Sequence, residues 1–278
     1  MSRHKHFAPS PALRPYIKCF HLLEIDGAEN GATFERFTPD GCFEVNFNLA
    51  GAPTRKEAAG AMRMLGSGYT VARSSTCYFM RPTEALRLLG VRFHPWGLHR
   101  FTSVSMETIA DSAVPSADLF GNSIVALHER LAATREVDQA IMELDRYFTA
   151  RLITREEDRL VVDAAQRLDE ASGLIPMEEL LAPYSITQRR FQQRFKQGIG
   201  STPKAFSRLM RFQQALRGLT GGDAAPVDIA FEGAYYDQAH FVNEFRSFAG
   251  ISPSLYMKEL HPLNDAAILN RMDSAFPA

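Results

Sequence analysis

The chain has 278 residues, a formal net charge of −1, 45% hydrophobic residues and 23% charged residues. These values are typical of a globular protein with material for two domains. No apolar run approaches the roughly 18 residues that a membrane span requires, and the N-terminus lacks the apolar stretch of a signal peptide. We therefore expect a cytoplasmic protein that has no membrane partner.

The first 95 residues have the alternation of a sheet. Phe43, Val45, Phe47 and Leu49 interleave with Glu44, Asn46 and Asn48, which predicts a strand with one face inward and the other outward. Similar runs occur at Tyr16–Ile25, Cys77–Met80 and Leu86–Phe93, with turn formers between them. Short strands at this spacing predict a β-sandwich or a small barrel.

Helical periodicity begins after residue 105. Asn122 and Ser123 can cap a helix, and a second helix follows. Their apolar stripes are Ile124, Leu127, His128 and Leu131 in the first helix, and Val137, Ile141, Leu144 and Phe148 in the second. Packing in a core is the favoured role of these stripes, and a dimer seam is the alternative.

The same half lacks the patterns of an enzyme. A metal-dependent barrel enzyme would need two histidines and a carboxylate on one face, and the only close pair, His4 and His6, lies in a terminus that we expect to be frayed. Cys19, Cys42 and Cys77 do not have zinc-ligand spacing. We expect reduced thiols, with a redox-sensing thiol as the alternative, and neither a cofactor nor a metal.

The second half contains an internal repeat. Residues 190–206 are RFQQRFKQGIGSTPKAF and residues 240–256 are HFVNEFRSFAGISPSLY, at a constant offset of fifty. The matched pairs include Phe191 with Phe241, Phe195 with Phe245, Gly200 with Gly250, and the N-cap residues Thr187 with Asp237.

Each copy predicts a helix-turn-helix unit, in which the second helix is the recognition helix. In the first copy a short helix at 176–181 precedes the helix that begins at Thr187. In the second copy Val227–Glu232 is followed by a turn at Gly233 and Ala234 and by a helix from Asp237 to about Phe248. An amphipathic helix at 203–219 connects the copies. Two recognition helices about 34 Å apart can enter successive major grooves.

Charge supports a nucleic-acid partner for this half. Residues 180–222 hold eight Arg and Lys residues and no Asp or Glu, which is typical of a surface that faces phosphate. Residues 237–260 hold two bases and three acids, and Glu244 is expected to point outward from the second recognition helix. The sequence therefore predicts that the second motif binds more weakly.

These residues resemble the AraC/XylS family of bacterial regulators between about 158 and 260. The resemblance is carried by Ile229-Ala230, Asp237-Gln238-Ala239-His240-Phe241, Phe245-Arg246, Gly250-Ile251-Ser252-Pro253 and Tyr256. Leu181, Ser185, Pro183 and Ala234 depart from its usual residues. Pro39-Asp40-Gly41-Cys42 and Gly90-Val91-Arg92-Phe93-x-Pro95 resemble a sensor-type domain found ahead of such modules, which implies a cupin-like sheet domain that binds an effector, a partner chain or both.

The resemblance implies a role for particular side chains. Those expected at base edges are Arg189, Gln192 and Gln193 in the first helix and Gln238, Ala239, His240 and Asn243 in the second. Arginine can read guanine and glutamine can read adenine. Those expected at phosphates are Thr187, Arg194, Lys196 and Arg246.

The sequence thus predicts an α+β chain that regulates transcription. We expect a β-rich sensor domain at 1–120, a helical linker at 121–154, a double helix-turn-helix domain at 155–262 and a tail at 263–278. The expected partners are double-stranded DNA, a small-molecule effector, RNA polymerase if the protein activates, and a second copy in a homodimer. The alternatives are a catalytic or alkyl-acceptor N-terminal domain fused to the same reader, and a partner module that does not bind DNA.

Overall fold

The computed structural model describes residues 2–26, 34–82, 85–153, 159–221, 235 and 237–259. The N-terminal half holds two antiparallel sheets, one with the strand order β1-β2-β9-β4-β7-β10 and one with the order β3-β8-β5-β6. The strands are β1 (Ser2–Phe7), β2 (Ile17–Ile25), β3 (Glu35–Phe37), β4 (Phe43–Ala50), β5 (Pro53–Glu57), β6 (Met62–Met64), β7 (Gly68–Val71), β8 (Tyr78–Pro82), β9 (Leu86–Phe93) and β10 (Ala113–Pro115).

Both faces of the large sheet are covered. The predicted alternation in β4 is present, but Asn46 and Asn48 are buried, whereas the sequence suggested an outward face. Asn48 lies opposite Leu88 of β9, which packs in the same cluster as Tyr78 and Met80 of the small sheet. The polar side of β4 therefore faces the second sheet, not solvent.

The N-terminus is part of the large sheet. Residues Ser2–Phe7 form β1, which pairs antiparallel with β2 and places His6 opposite His21. The expectation of a frayed terminus is wrong. The strand is polar, and its order comes from backbone pairing with β2, which local periodicity does not reveal.

Helices cover the other face of the large sheet. They are α1 (Met106–Ile109), α2 (Ala117–Phe120), α3 (Asn122–Ala133) and α4 (Val137–Arg151). The buried members of the stripes predicted for α3 and α4 pack with Phe43 and Phe47 of β4 in one core: Ile124, Leu127, Leu131, Leu144 and Phe148. These stripes therefore have the favoured role of core packing.

The C-terminal half is helical. Its helices are α5 (Arg159–Glu170), α6 (Met177–Leu181), α7 (Gln188–Ile199), α8 (Pro203–Gly221), α9 (Gln238–Ala249) and α10 (Pro253–Glu259). Their core is aromatic and includes Phe191, Phe195, Phe206, Phe212, Phe241, Phe245 and Tyr256. The helix predicted at 227–232, the turn at Gly233 and Ala234 and the tail at 263–278 lie outside the described residues.

The two halves share packing at one tryptophan. Trp96, the single tryptophan of the chain, follows β9, yet its side chain belongs to the core cluster of the C-terminal helices. Its indole Nε1 donates to the carbonyl of Pro15 at 2.9 Å and its ring stacks on His94. In the part of the chain that the structure describes, no helix combines the length and the hydropathy needed to cross a bilayer.

Candidate nucleic-acid interface

The first recognition helix, α7, has defined caps at both ends. The Thr187 hydroxyl accepts a hydrogen bond from the Arg190 amide at 3.4 Å, which satisfies a donor of the first turn. Gly200 ends the helix with a φ of 80°, a left-handed conformation that favours glycine. Phe191 and Phe195, four residues apart, are fully buried and hold the helix on the core.

The second recognition helix, α9, repeats this geometry fifty residues later. The Asp237 carboxylate accepts from the His240 amide at 2.7 Å, and Gly250 ends the helix with a φ of 75°. Phe241 and Phe245 take the buried places. The repeat in the sequence is thus a repeat of capped helices, each anchored by the same two aromatic positions.

The residues predicted to touch bases lie in the first two turns of these helices, away from the buried phenylalanines. Exposed members are Arg189, Gln193, Gln238, Ala239, His240 and Asn243, and Gln192 is half-buried. Among the predicted phosphate ligands, Thr187 and Arg246 are exposed, whereas Arg194 and Lys196 are half-buried. Each helix therefore presents a polar N-terminal half to its surroundings.

Lys196 contacts the N-terminal domain. Its ammonium lies 2.6 Å from the Glu107 carboxylate of α1, and both side chains remain partly exposed. No local sequence pattern signals this pair, because its members are 89 positions apart in the chain. A side chain predicted to bind phosphate is thus already paired with an internal anion.

The connecting helix α8 contacts the N-terminal domain at one of the sensor-type motifs. The Gln213 side-chain amide donates to the Pro39 carbonyl at 2.5 Å. A Cβ on Gly41 would lie 3.3 Å from Leu209, so the loop packs directly on α8. Asp40, between these contacts, pairs with the buried Arg92 of β9. The motif therefore joins the interior of the sheet domain to the helix that connects the two copies of the repeat.

Glu244 does not point outward, and the expectation that it faces DNA is wrong. Only 4% of its side chain is exposed, and it accepts from Arg208 Nε at 2.9 Å and lies 3.5 Å from Arg211 Nη2. Both arginines belong to α8. Glu244 therefore ties the second recognition helix to the connecting helix, and its charge is absent from the exposed face of α9.

Four ionisable side chains, the half-buried His4 and the buried Cys19, His21 and Cys42, lie in the large sheet or directly beside it. His4 Nε2 and His21 Nδ1 are 3.2 Å apart, and burial lowers the pKa of each imidazole to about 3, so both are neutral at neutral pH. Burial raises the pKa of Cys19 and of Cys42 to about 12, which keeps both thiols protonated. Among the described residues, no three His, Cys, Asp or Glu side chains are placed to hold a metal ion.

Comparison with known families agrees with this architecture. Residues 181–259 match a family described as "Helix-turn-helix domain", and residues 5–115 match a "Domain of unknown function (DUF6597)". The C-terminal domain is a helix-turn-helix domain. It is of the AraC type, so the resemblance to the AraC/XylS family is confirmed for this domain. The predicted α+β architecture, with a β-rich domain ahead of the helical one, is also confirmed.

Individual relatives match parts of the chain. An uncharacterized HTH-type transcriptional regulator of Haemophilus influenzae is 31% identical over 84 residues, which are 30% of this chain and 28% of that protein. The HTH-type transcriptional activator RhaS of Klebsiella pneumoniae is 30% identical over 123 residues, 44% of each chain. This chain thus spans less than half the length of both curated relatives. The structure of ToxT from Vibrio cholerae is 10% identical over 87% of this chain and 98% of its own, with a TM-score of 0.46.

Proposed function

We propose that the protein is a sequence-specific, double-stranded DNA-binding regulator of transcription whose N-terminal domain controls it in response to a small molecule. The observation that carries the first part is the pair of equally capped recognition helices. Both lie on one aromatic core and expose polar first turns. The acid-free composition of 180–222 supports phosphate contact around the first of them.

Base reading is assigned to the exposed first turns. Arg189 is the residue suited to bidentate recognition of guanine, with Gln192 and Gln193 beside it and with Gln238, Ala239, His240 and Asn243 on the second helix. Phosphate contact is assigned to Thr187, Arg194, Lys196 and Arg246. Because Glu244 is buried, the exposed face of α9 is less acidic than its sequence, so the difference between the two motifs is smaller than charge counting predicts.

Control by an effector is supported by contacts between the domains. The Asp40–Arg92 pair connects the sheet interior to the loop on α8, and the Glu107–Lys196 pair connects α1 to α7. A ligand that binds one arrangement of these contacts more tightly than another would shift the protein toward that arrangement. DNA affinity would then change if the two arrangements bind DNA differently. The sensor domain is assigned to 1–120, the helical linker to 121–154 and the reader to 155–262.

The alternative of an alkyl-acceptor or other enzyme is less favoured. An acceptor thiol must ionise readily, whereas burial raises the pKa of Cys19 and Cys42 to about 12. We therefore favour a non-enzymatic role, and we also propose that the protein acts in the cytoplasm. If the protein activates transcription, RNA polymerase is its further partner, and a homodimer would double the number of reading helices on one operator.

The test is selection of bound sites from random duplex DNA by the full chain, followed by salt-titrated affinity measurements. Arg189→Ala should cost on the order of 1–3 kcal/mol and relax base choice at one position. Lys196→Ala should weaken all sequences alike and reduce the salt slope by about one unit. Arg135→Ala, at an exposed position between α3 and α4, is the matched control and should change neither. No enriched sequence, or equal losses for Arg189→Ala and Arg135→Ala, would refute the proposal.

A further inference from the structure

The N-terminal domain contacts both recognition helices at equivalent points, the glycines that end them. A Cβ on Gly200 would lie 2.9 Å from the backbone oxygen of Met106 and 3.5 Å from Arg73 Cδ. A Cβ on Gly250, fifty residues later, would lie 2.8 Å from Cys77 Sγ and 3.2 Å from an Arg36 nitrogen. One short stretch, Arg73–Cys77, therefore reaches both copies of the repeat.

The contact at the second helix consists of directed hydrogen bonds. The Cys77 amide donates to the Phe248 carbonyl at 2.8 Å, and Arg36 Nη1 donates to the Ala249 carbonyl at 2.9 Å. Carbonyls in the last turn of a helix lack partners within the helix, and a cation there complements the helix dipole. Arg36 also pairs with Glu259 of α10 at 3.2 Å, so it holds the helices on both sides of Gly250.

The stretch that joins the two contacts is itself fixed. The Asp111 amide donates to the Arg73 carbonyl at 2.9 Å, and the Asp111 carboxylate accepts from the Ser75 amide. Asp111 adopts a positive φ of 61°, an uncommon conformation for a residue with a side chain. The four Cα–Cα steps from Arg73 to Cys77 cover at most about 14 Å. The hydrogen bonds to Asp111 would have to break before the stretch could change its shape.

We propose that Arg36 and the segment Arg73–Cys77 are positioning elements that fix the separation of the two recognition helices and thereby set the half-site spacing that the protein accepts. The sensor domain then takes part in reading DNA without touching it. This inference rests on the proposed function. To the choice of bases it adds a second requirement, the distance between the two half-sites that the recognition helices contact.

The experiment uses the full chain, the operator obtained by selection, the same operator with two base pairs inserted between its half-sites, and a single half-site. Each added base pair moves a half-site by about 3.4 Å and turns it around the duplex. The insertion should cost the parent protein at least about tenfold, since one mismatched base pair can already cost that much. In Arg36→Met, which loses the hydrogen bond to Ala249, the penalty should fall below about threefold. The same fall is expected in Arg73→Ala, which loses the side chain beside Gly200. Single half-site affinity should match the parent in both.

Arg63→Met, at an exposed site on β6, is the matched control and should keep the parent's penalty. Arg36→Lys retains the charge but lacks the guanidinium group whose two nitrogens contact Ala249 and Glu259. Its spacing penalty should therefore lie between those of the parent and Arg36→Met. A general loss of folding would lower affinity for all three DNAs together, and circular dichroism would report it. An unchanged spacing penalty in folded Arg36→Met and Arg73→Ala, or in folded Arg36→Lys if the others do not fold, overturns the inference. Absence of any specific DNA binding by the parent would instead refute the proposed function.

Discussion

Replacement of Glu244 by lysine tests whether Glu244 is buried against α8, as the structure shows, or faces outward from α9, as the sequence pattern suggested. The change puts a third cation beside Arg208 and Arg211 in a site where the native carboxylate is 4% exposed. Removal of one partner from a buried pair costs about 3–5 kcal/mol. Because the Arg208 side chain is 42% exposed and can turn toward water, we expect the lower end of that range, about 3 kcal/mol.

The assay is urea unfolding followed by circular dichroism. Glu170→Lys makes the same charge change at an exposed position of α5 and should stay within about 0.5 kcal/mol of the parent. Glu244→Gln keeps the shape but removes the charge, so its loss of stability should lie between the two. If Glu244→Lys is as stable as Glu170→Lys and binds non-specific DNA more tightly, the carboxylate faces the duplex and our assignment fails.

Two further perturbations address the contacts between domains and the buried imidazoles. Glu107→Gln should raise DNA affinity about two- to fivefold, because an exposed pair is worth up to about 1 kcal/mol and its loss frees Lys196 for phosphate; equal affinity of parent and variant in a low-salt titration would contradict this. The pKa of His21 is lowered by burial from 6.5 to about 3, so the unfolded chain binds more protons as the pH falls below neutrality. Stability should therefore drop by about 2 kcal/mol per such imidazole between pH 7 and pH 5. His21→Asn should flatten the pH dependence of urea unfolding, and a slope identical to the parent's would contradict the buried neutral state.

Local periodicity predicted the helices of the reader because their signals are short-range. The caps at Thr187 and Asp237 and the anchors at Phe191 and Phe241 all act within one helix, and the repeat supplied each signal twice. The expectation that Glu244 points outward is wrong, although its position in the helix already indicates burial. It lies three residues after Phe241, within the buried stripe of α9, so helical spacing places it on the core side despite its charge.

The remaining features depend on contacts between distant parts of the chain. The polar strand β1 is ordered by its pairing with β2, and the buried face of Asn46 and Asn48 depends on a second sheet whose position alternation does not specify. The Glu107–Lys196 pair and the Cys77–Phe248 hydrogen bond join residues that no local pattern relates. The sequence therefore predicted the two capped helices to which we assign DNA reading, whereas their attachment to the N-terminal domain required the structure.

Trp96 belongs to the N-terminal half by sequence and to the C-terminal half by packing. Because it is the only indole in the chain, the tryptophan component of the protein's fluorescence reports on the junction itself. Separation of the halves would hydrate this ring and shift its emission to longer wavelength, even while both halves kept their secondary structure. Trp96 fluorescence thus reports whether the two halves are in contact, without any added label. Candidate effectors can be screened by this signal before any operator is known.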